Sequence, residues 1–207
     1  MSKIYYIGGS PCSGKSTVAE ILARTYHLYY FKVDDYLEKY MQEGALQGCE
    51  ICKKVSGMSP EEIWMRDPAT QCIEELQIYR EIFPFILKDL SDLQEERDII
   101  TEGAAFLPEL MYWTGVNGSE YISVTPSKEF QIEHYSKREW VPYVLEGCSD
   151  KELAFRNWMD RDVLFAENVR KQCEDYQYKS ILNDGSRTVG ELLNMVQIHF
   201  GLERAAE

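Results

Sequence analysis

The sequence lacks any apolar run near the ~18–20 residues that a membrane-crossing helix requires. It is also poor in positive charge. Lys and Arg total 22 against 35 Asp and Glu, for a net charge of −13. That balance argues against a nucleic-acid backbone or an anionic membrane surface as partner of the whole protein. A disulfide framework is missing too. Six cysteines scattered over 207 residues, with no export signal, read as reduced cytosolic thiols. The only paired spacing, Cys49-Glu50-Ile51-Cys52, has no second ligand pair, and His27, His134 and His199 show no ligand spacing, which disfavours structural zinc. No thioredoxin-like strand-to-helix turn surrounds it either. Repeats, low-complexity tracts and Pro/Gly/Ser linkers are absent. At 44 % apolar and 28 % charged residues, long disorder and collagen-like structure are excluded. The length fits one domain carrying an insertion, or two small domains at most.

The regular segments alternate. Lys3–Ile7 reads as a buried strand running straight into glycines, where a secretory leader would need its apolar stretch, so a cytoplasmic location is expected. Residues 15–26 place Val18, Ile21, Leu22 and Thr25 on one helical face. Tyr29–Val33, Asp98–Thr101, Tyr121–Thr125 and Tyr178–Leu182 read as four further strands. A short helix is expected from Tyr36 through about Glu43. Residues 44–58 lack periodicity and read as a loop. Ser59, Pro60 and Glu62 form a helix start with a capping box, and Asp67-Pro68 forms another. Pro84 is expected to kink or split the helix that follows. A helical stretch covers about 127–174, and a last helix carries Val189, Leu192, Leu193, Val196 and Phe200. Five strands alternating with helices predict an α/β fold with a mostly parallel sheet, whose ligands bind beyond the carboxyl ends of the strands.

The sharpest motif lies at the first such end. Gly9, Ser10, Pro11, Cys12, Ser13, Gly14, Lys15 and Ser16 match the P-loop pattern G-x-x-x-x-G-K-S/T, with a strand before and an amphipathic helix after. Glycines let successive N–H groups curl around phosphate oxygens at a helix start. Lys15 reaches the β- and γ-phosphates, Ser16 supplies a magnesium ligand, and Thr17 is placed for an α-phosphate oxygen. Cys12 within the loop would obstruct nucleotide binding if oxidised.

With GGSPCSGKST at the first turn, VDDYL after strand two, IITEG at strand three, an arginine-bearing stretch and DGSRTV near the end, the chain resembles the P-loop small-molecule kinases, the group of nucleoside, nucleotide, gluconate and shikimate kinases. The resemblance implies a single three-layer P-loop NTPase domain with a five-stranded sheet, a helical acceptor insertion at about 37–97 and a lid-like segment at about 127–174. It also implies ATP and Mg²⁺ as cofactors and a small-molecule hydroxyl or phosphate acceptor.

The remaining positions follow from strand ends and charge. Asp34 and Asp35 follow strand two, where an acceptor hydroxyl needs orienting and its proton a destination; either one also suits a helix N-cap. Glu102 ends strand three. It could hold magnesium through water, orient the acceptor or act as base, while Asp98 stands at the wrong end of the strand for metal chemistry. Arginine stabilises charge spread over a transferring phosphoryl group. Arg156 and Arg161, with Arg138 next, are the lid arginines the resemblance points to; Arg156 could instead pair with Glu152 or Asp160 on a solvated helix face. In the insertion, Arg66 and Arg80 could grip an anionic acceptor, and Trp64 and Tyr79 could stack on a ring. The second reading is a nucleotide-binding or NTP-hydrolysing switch without a small-molecule acceptor, compatible with the missing Walker B aspartate. A polynucleotide-end kinase is disfavoured by the charge of −13. The identity of the acceptor and the choice of ATP over GTP stay open at this level.

Overall fold

The computed structural model describes residues 2–93 and 97–202. Residues 94–96 of the expected insertion fall outside the described residues. Strands β1 (Ile4–Gly9), β2 (Tyr29–Lys32), β3 (Ile99–Glu102), β4 (Tyr121–Pro126) and β5 (Lys179–Asn183) form one sheet in the order β2-β3-β1-β4-β5. All four pairings are parallel, so the sheet is wholly rather than mostly parallel. β1 is central, which brings its carboxyl end between those of β3 and β4.

Alternation along β1 separates two cores. Tyr5 and Ile7 face a layer with Val18, Leu22, Val196 and Phe200, contributed by α1 (Lys15–Tyr26) and α10 (Val189–Phe200). Tyr6 faces the opposite layer with Phe31, Tyr79, Ile82, Ile86 and Phe165, built mainly by α5 (Pro68–Asp92) and α9 (Lys151–Asp175). Covering both faces removes the strand backbones from water, as a parallel sheet requires. The buried face of α1 is Val18, Ala19, Leu22 and Ala23; Thr25 is exposed. Small alanines let the helix approach the sheet, which rotates its inner face away from the expected one.

Three expected features differ. Residues 44–58 are not a loop: α2 (Leu37–Leu46) runs into them and α3 (Glu50–Ser56) follows. The seven-residue α3 has no side-chain cap of its own. Its cap comes from α5, where the Glu81 carboxylate accepts from the Ile51 and Cys52 amides at 3.1 and 2.8 Å. This tertiary cap satisfies orphan donors that local sequence cannot. Gly44 leaves the space in which Cys52 packs, since a Cβ there would stand 3.1 Å from the Cys52 Sγ.

Pro84 does not split its helix, which is continuous from Pro68 to Asp92. Pro84 lies on the exposed face while Ile82, Phe83 and Ile86 are buried. The carbonyl it leaves unpaired therefore sits on the side where water can reach it, and the buried neighbours hold the helix together. The stretch 127–174 is three helices: α7 (Lys128–Ser136), α8 (Val141–Val144) and α9. Ser127 and Asp150 cap α7 and α9 by accepting from Phe130 and Leu153 amides. Helices α4 (Pro60–Trp64) and α6 (Pro108–Trp113) complete the set. The predicted capping box at Ser59 and Glu62 is formed.

Candidate active site

The β1–α1 turn is built by backbone demands. Gly9 has φ +122°, and a Cβ there would lie 1.8 Å from the Val124 carbonyl oxygen on β4. No side chain fits. Gly14 is left-handed at φ +92°, and Cys12 adopts the same region at φ 63°. Lys15 is only 6 % exposed and donates to the Ser10 carbonyl at 2.8 Å. The Ser10 and Ser13 hydroxyls are buried with no partner. Asn183, at the end of β5, ties the loop down by donating to the Ser13 carbonyl at 3.0 Å. The result is a curled backbone at the start of α1 with a buried ammonium folded over it, a shape suited to cradling an anion.

A cleft of about 570 Å³ opens from this loop. Residues Cys12 to Val18 form its floor, Phe130, His134 and Arg138 one wall, and the β5–α10 loop with Arg187 and Thr188 the other. Arg138 touches the loop, its guanidinium donating to Cys12 Sγ at 3.2 Å and lying over the Tyr135 and Trp140 rings. Burial pushes the Cys12 thiol up, and Arg138 opposes this. In the sequence Arg138 stood behind Arg156 and Arg161 as a lid residue; the aromatic Tyr135 and Trp140 on either side of it are its local signal.

Glu102 is 0 % exposed at the end of β3, beside Ile7 of β1 in register. One oxygen accepts from the Tyr30 hydroxyl at 3.1 Å, and the other has no partner. Burial and this carboxylate raise the Tyr30 hydroxyl above its ordinary value. Gly103 permits the turn behind it, because a Cβ would meet Val33 at 2.8 Å. Asp98 accepts from the Lys3 amide at the opposite end of the strand. Asp34 and Asp35 lie exposed on a 3₁₀ turn, Val33–Tyr36, directly after β2. Asp35 pairs with Lys32 at 3.2 Å, whereas Asp34 acts on Tyr79, helping hold that buried hydroxyl well above its ordinary value after desolvation and Glu75.

The other arginines named from the sequence are exposed or held by carboxylates. Arg156 is exposed on α9, and Asp160 pairs with Lys128 rather than with it. Arg66 pairs with Glu74, which also holds Lys54. Arg80 pairs with Glu109 at 2.7 Å. Arg161, on α9, is 11 % exposed and lies between Glu75 at 2.8 Å and Asp162 at 2.6 Å, under the Trp64 ring. Glu75 accepts from Tyr79 as well. Asp162 is 2 % exposed and one of its oxygens has no partner. Burial pushes its carboxyl up to about 6 against the pull of Arg161, and its charge reaches Cys12. Glu75 and Asp162 escaped sequence reading because charged residues on a long helix ordinarily face water.

The oxygens of Ser16 and Glu102 suit a hard cation such as Mg²⁺, which takes few protein ligands beside phosphate and water. Cys49 and Cys52 begin α3; burial and Glu81 push the Cys52 thiol up to about 12. Among the described residues no group of three or more His, Cys, Asp or Glu is arranged to hold a metal ion.

No protein-family profile matches the chain, and no curated protein does. Solved structures match over the whole length. A shikimate kinase from Bacteroides thetaiotaomicron superposes with a TM-score of 0.53 at 16 % identity, covering 97 % of this chain and 99 % of the other. TT1252 from Thermus thermophilus aligns with a TM-score of 0.49 at 19 % identity, covering 98 % of each chain. The fold is a shikimate-kinase-like P-loop fold. Among the described residues, no helix of this fold is long and apolar enough to cross a membrane.

Proposed function

We propose that the protein is a Mg²⁺-dependent kinase moving the γ-phosphoryl group of ATP to a small-molecule acceptor. The observation that carries this is the buried Lys15 ammonium, parked on the Ser10 carbonyl inside a loop with unpartnered Ser10 and Ser13 hydroxyls. A cation this buried needs an anionic partner, and the curled amides around it supply a phosphate cradle. ATP brings the transferable phosphoryl group, and its magnesium ion would be held by Ser16 with Glu102 behind it, neutralising phosphate charge.

The chain's own residues do the rest. Gly9, Pro11, Gly14 and Thr17 shape and extend the loop that binds the triphosphate, with Cys12 at its apex. Lys15 leaves the Ser10 carbonyl for the β- and γ-phosphate oxygens. Arg138, at the mouth of the cleft, is placed to neutralise charge on the transferring group. Asp34 orients the acceptor hydroxyl and takes its proton, with Asp35 beside it. Arg161 acts by anchoring Glu75 and Asp162; Arg66 and Arg80 are held by Glu74 and Glu109, and Arg156 is exposed on α9. Closure of α7 over the cleft would exclude water.

The test is ADP release from Mg·ATP, alone and with pooled nucleosides, nucleoside monophosphates, sugars, sugar acids and metabolite alcohols, with Lys15→Ala as control. Stimulation by a pool that disappears in the control supports the kinase. ATP binding with no stimulation favours the switch reading.

A further inference from the structure

Glu102 ends β3 at 0 % exposure, and one of its two oxygens has no partner. A buried carboxylate oxygen left this way is costly unless a donor or a cation reaches it. The parallel ladder fixes what stands beside it. Tyr30 of β2 is level with Ile100 of β3, and Lys32 is level with Glu102. Side chains two apart on a strand share a face, so Tyr30, Lys32, Ile100 and Glu102 lie on one side of the sheet. That side is covered by α1: Ile100 belongs to a core with Val18 and Leu22, and Tyr30 packs against the same core. Glu102 therefore stands on the face covered by the helix that Lys15 and Ser16 begin.

Two potential donors occupy this face of β2, and they differ in charge. The Lys32 ammonium is held by Asp35 at 3.2 Å. The Tyr30 hydroxyl donates to Glu102 Oε1 at 3.1 Å. The difference matters chemically. An ammonium on Glu102 would cancel the carboxylate charge, whereas a neutral hydroxyl fixes one oxygen and leaves the charge in place. With one oxygen tied, the carboxylate no longer turns freely about its last bond, so the second oxygen is held in one direction. Tyr30 is itself anchored. It packs against the α1 core and lines a hollow of about 370 Å³ with Ala23, Arg24 and Leu28, a hollow that Glu102 does not line.

We propose that Tyr30 is a positioning residue for magnesium: its hydroxyl holds one oxygen of Glu102 and so keeps the other ready for the Mg²⁺ that accompanies the nucleotide. This rests on the kinase reading above, in which Ser16 and Glu102 hold that ion. Groups behind a ligating carboxylate orient it and tune its affinity, and their loss costs about 10–100-fold in metal binding. Tyr30 keeps its own proton and acts through Glu102. No motif marks it in the sequence, where it is one tyrosine in a β-prone run.

The experiment reads the metal rather than turnover. Binding of a non-hydrolysable ATP analogue is measured by calorimetry in saturating Mg²⁺ and in EDTA, for the natural chain, Tyr30→Phe, Glu102→Gln and the double variant. The ratio of the two affinities reports how much the metal adds. Tyr30→Phe keeps the ring and loses the donor; it should lower the ratio at least about tenfold while moving the affinity in EDTA less than about twofold. A merely structural role would weaken binding alike in both media. Glu102→Gln should lower the ratio as far or further, and the double variant should lose no more than Glu102→Gln alone, because Tyr30 acts through Glu102. Tyr30→Met, which also lacks the hydroxyl, serves as the second variant if Tyr30→Phe does not fold. A ratio near one in the natural chain, a ratio unchanged by loss of the hydroxyl, equal losses with and without Mg²⁺, or additive losses in the double variant would each overturn the inference. Failure of the analogue to bind the natural chain in either medium would overturn the kinase reading itself, and the inference with it.

Discussion

Asp162 gives the most demanding test of the electrostatics. Its carboxyl stands at about 6 instead of its ordinary 3.8, because burial outweighs the attraction of Arg161. That rise corresponds to about 3 kcal/mol between the two protonation states. Between these values the folded chain holds a proton that the unfolded chain has released. Unfolding therefore releases that proton, and stability falls as pH rises from about 4 to 6. Above the folded value this part of stability is absent; below the unfolded value it is fully present. Asp162→Asn removes the titration but also takes one carboxylate from Arg161, a loss on the order of 3–5 kcal/mol when a buried pair is broken, moderated here by Glu75 at 2.8 Å. The two effects oppose each other in absolute stability, so the pH slope is the quantity to read. Urea unfolding at half-unit steps from pH 4 to 7.5 should show the natural chain losing about 2–3 kcal/mol more than the variant across that range. Coincident slopes would refute the assignment of a raised, buried carboxyl.

Other consequences follow from single contacts. Lys15→Met should abolish measurable ATP binding by calorimetry while leaving the circular dichroism spectrum and melting temperature close to those of the natural chain. Gly9→Ala should cost at least about 3 kcal/mol in chemical denaturation, since its Cβ meets the Val124 backbone and overpacking adds to left-handed strain. Glu81→Ala should uncap α3, lowering stability by about 1–2 kcal/mol and speeding amide exchange at Ile51 and Cys52 more than at Ile82 or Ile86. Unaltered exchange at those two amides would show that Glu81 is not the cap.

The phosphate loop was legible because its motif residues are local, although the Val124 contact that demands Gly9 and the Asn183 tie come from other strands. Gly9, Gly14, Lys15 and Ser16 lie in one short run, and the flanking periodicities are those of a strand and a helix. The caps at Ser59 and Asp67 act within three residues, and local spacing is enough to place them. Short apolar, β-prone runs likewise defined the strands to within a residue or two.

What tertiary structure decided were the partners brought from far along the chain. The cap of α3 comes from Glu81, 29 residues beyond Cys52. The arginines that seemed available for phosphate or acid are claimed by Glu74, Glu75, Glu109 and Asp162, and two of those pairs, Arg161–Glu75 and Arg80–Glu109, join residues 86 and 29 apart in sequence. Burial did the same for Glu102 and Asp162, whose exposure no spacing rule could give. A motif whose atoms are neighbours in sequence declares itself in sequence. A charge acquires its role from what it meets across the fold, because its free energy depends on burial and on the nearest opposite charge.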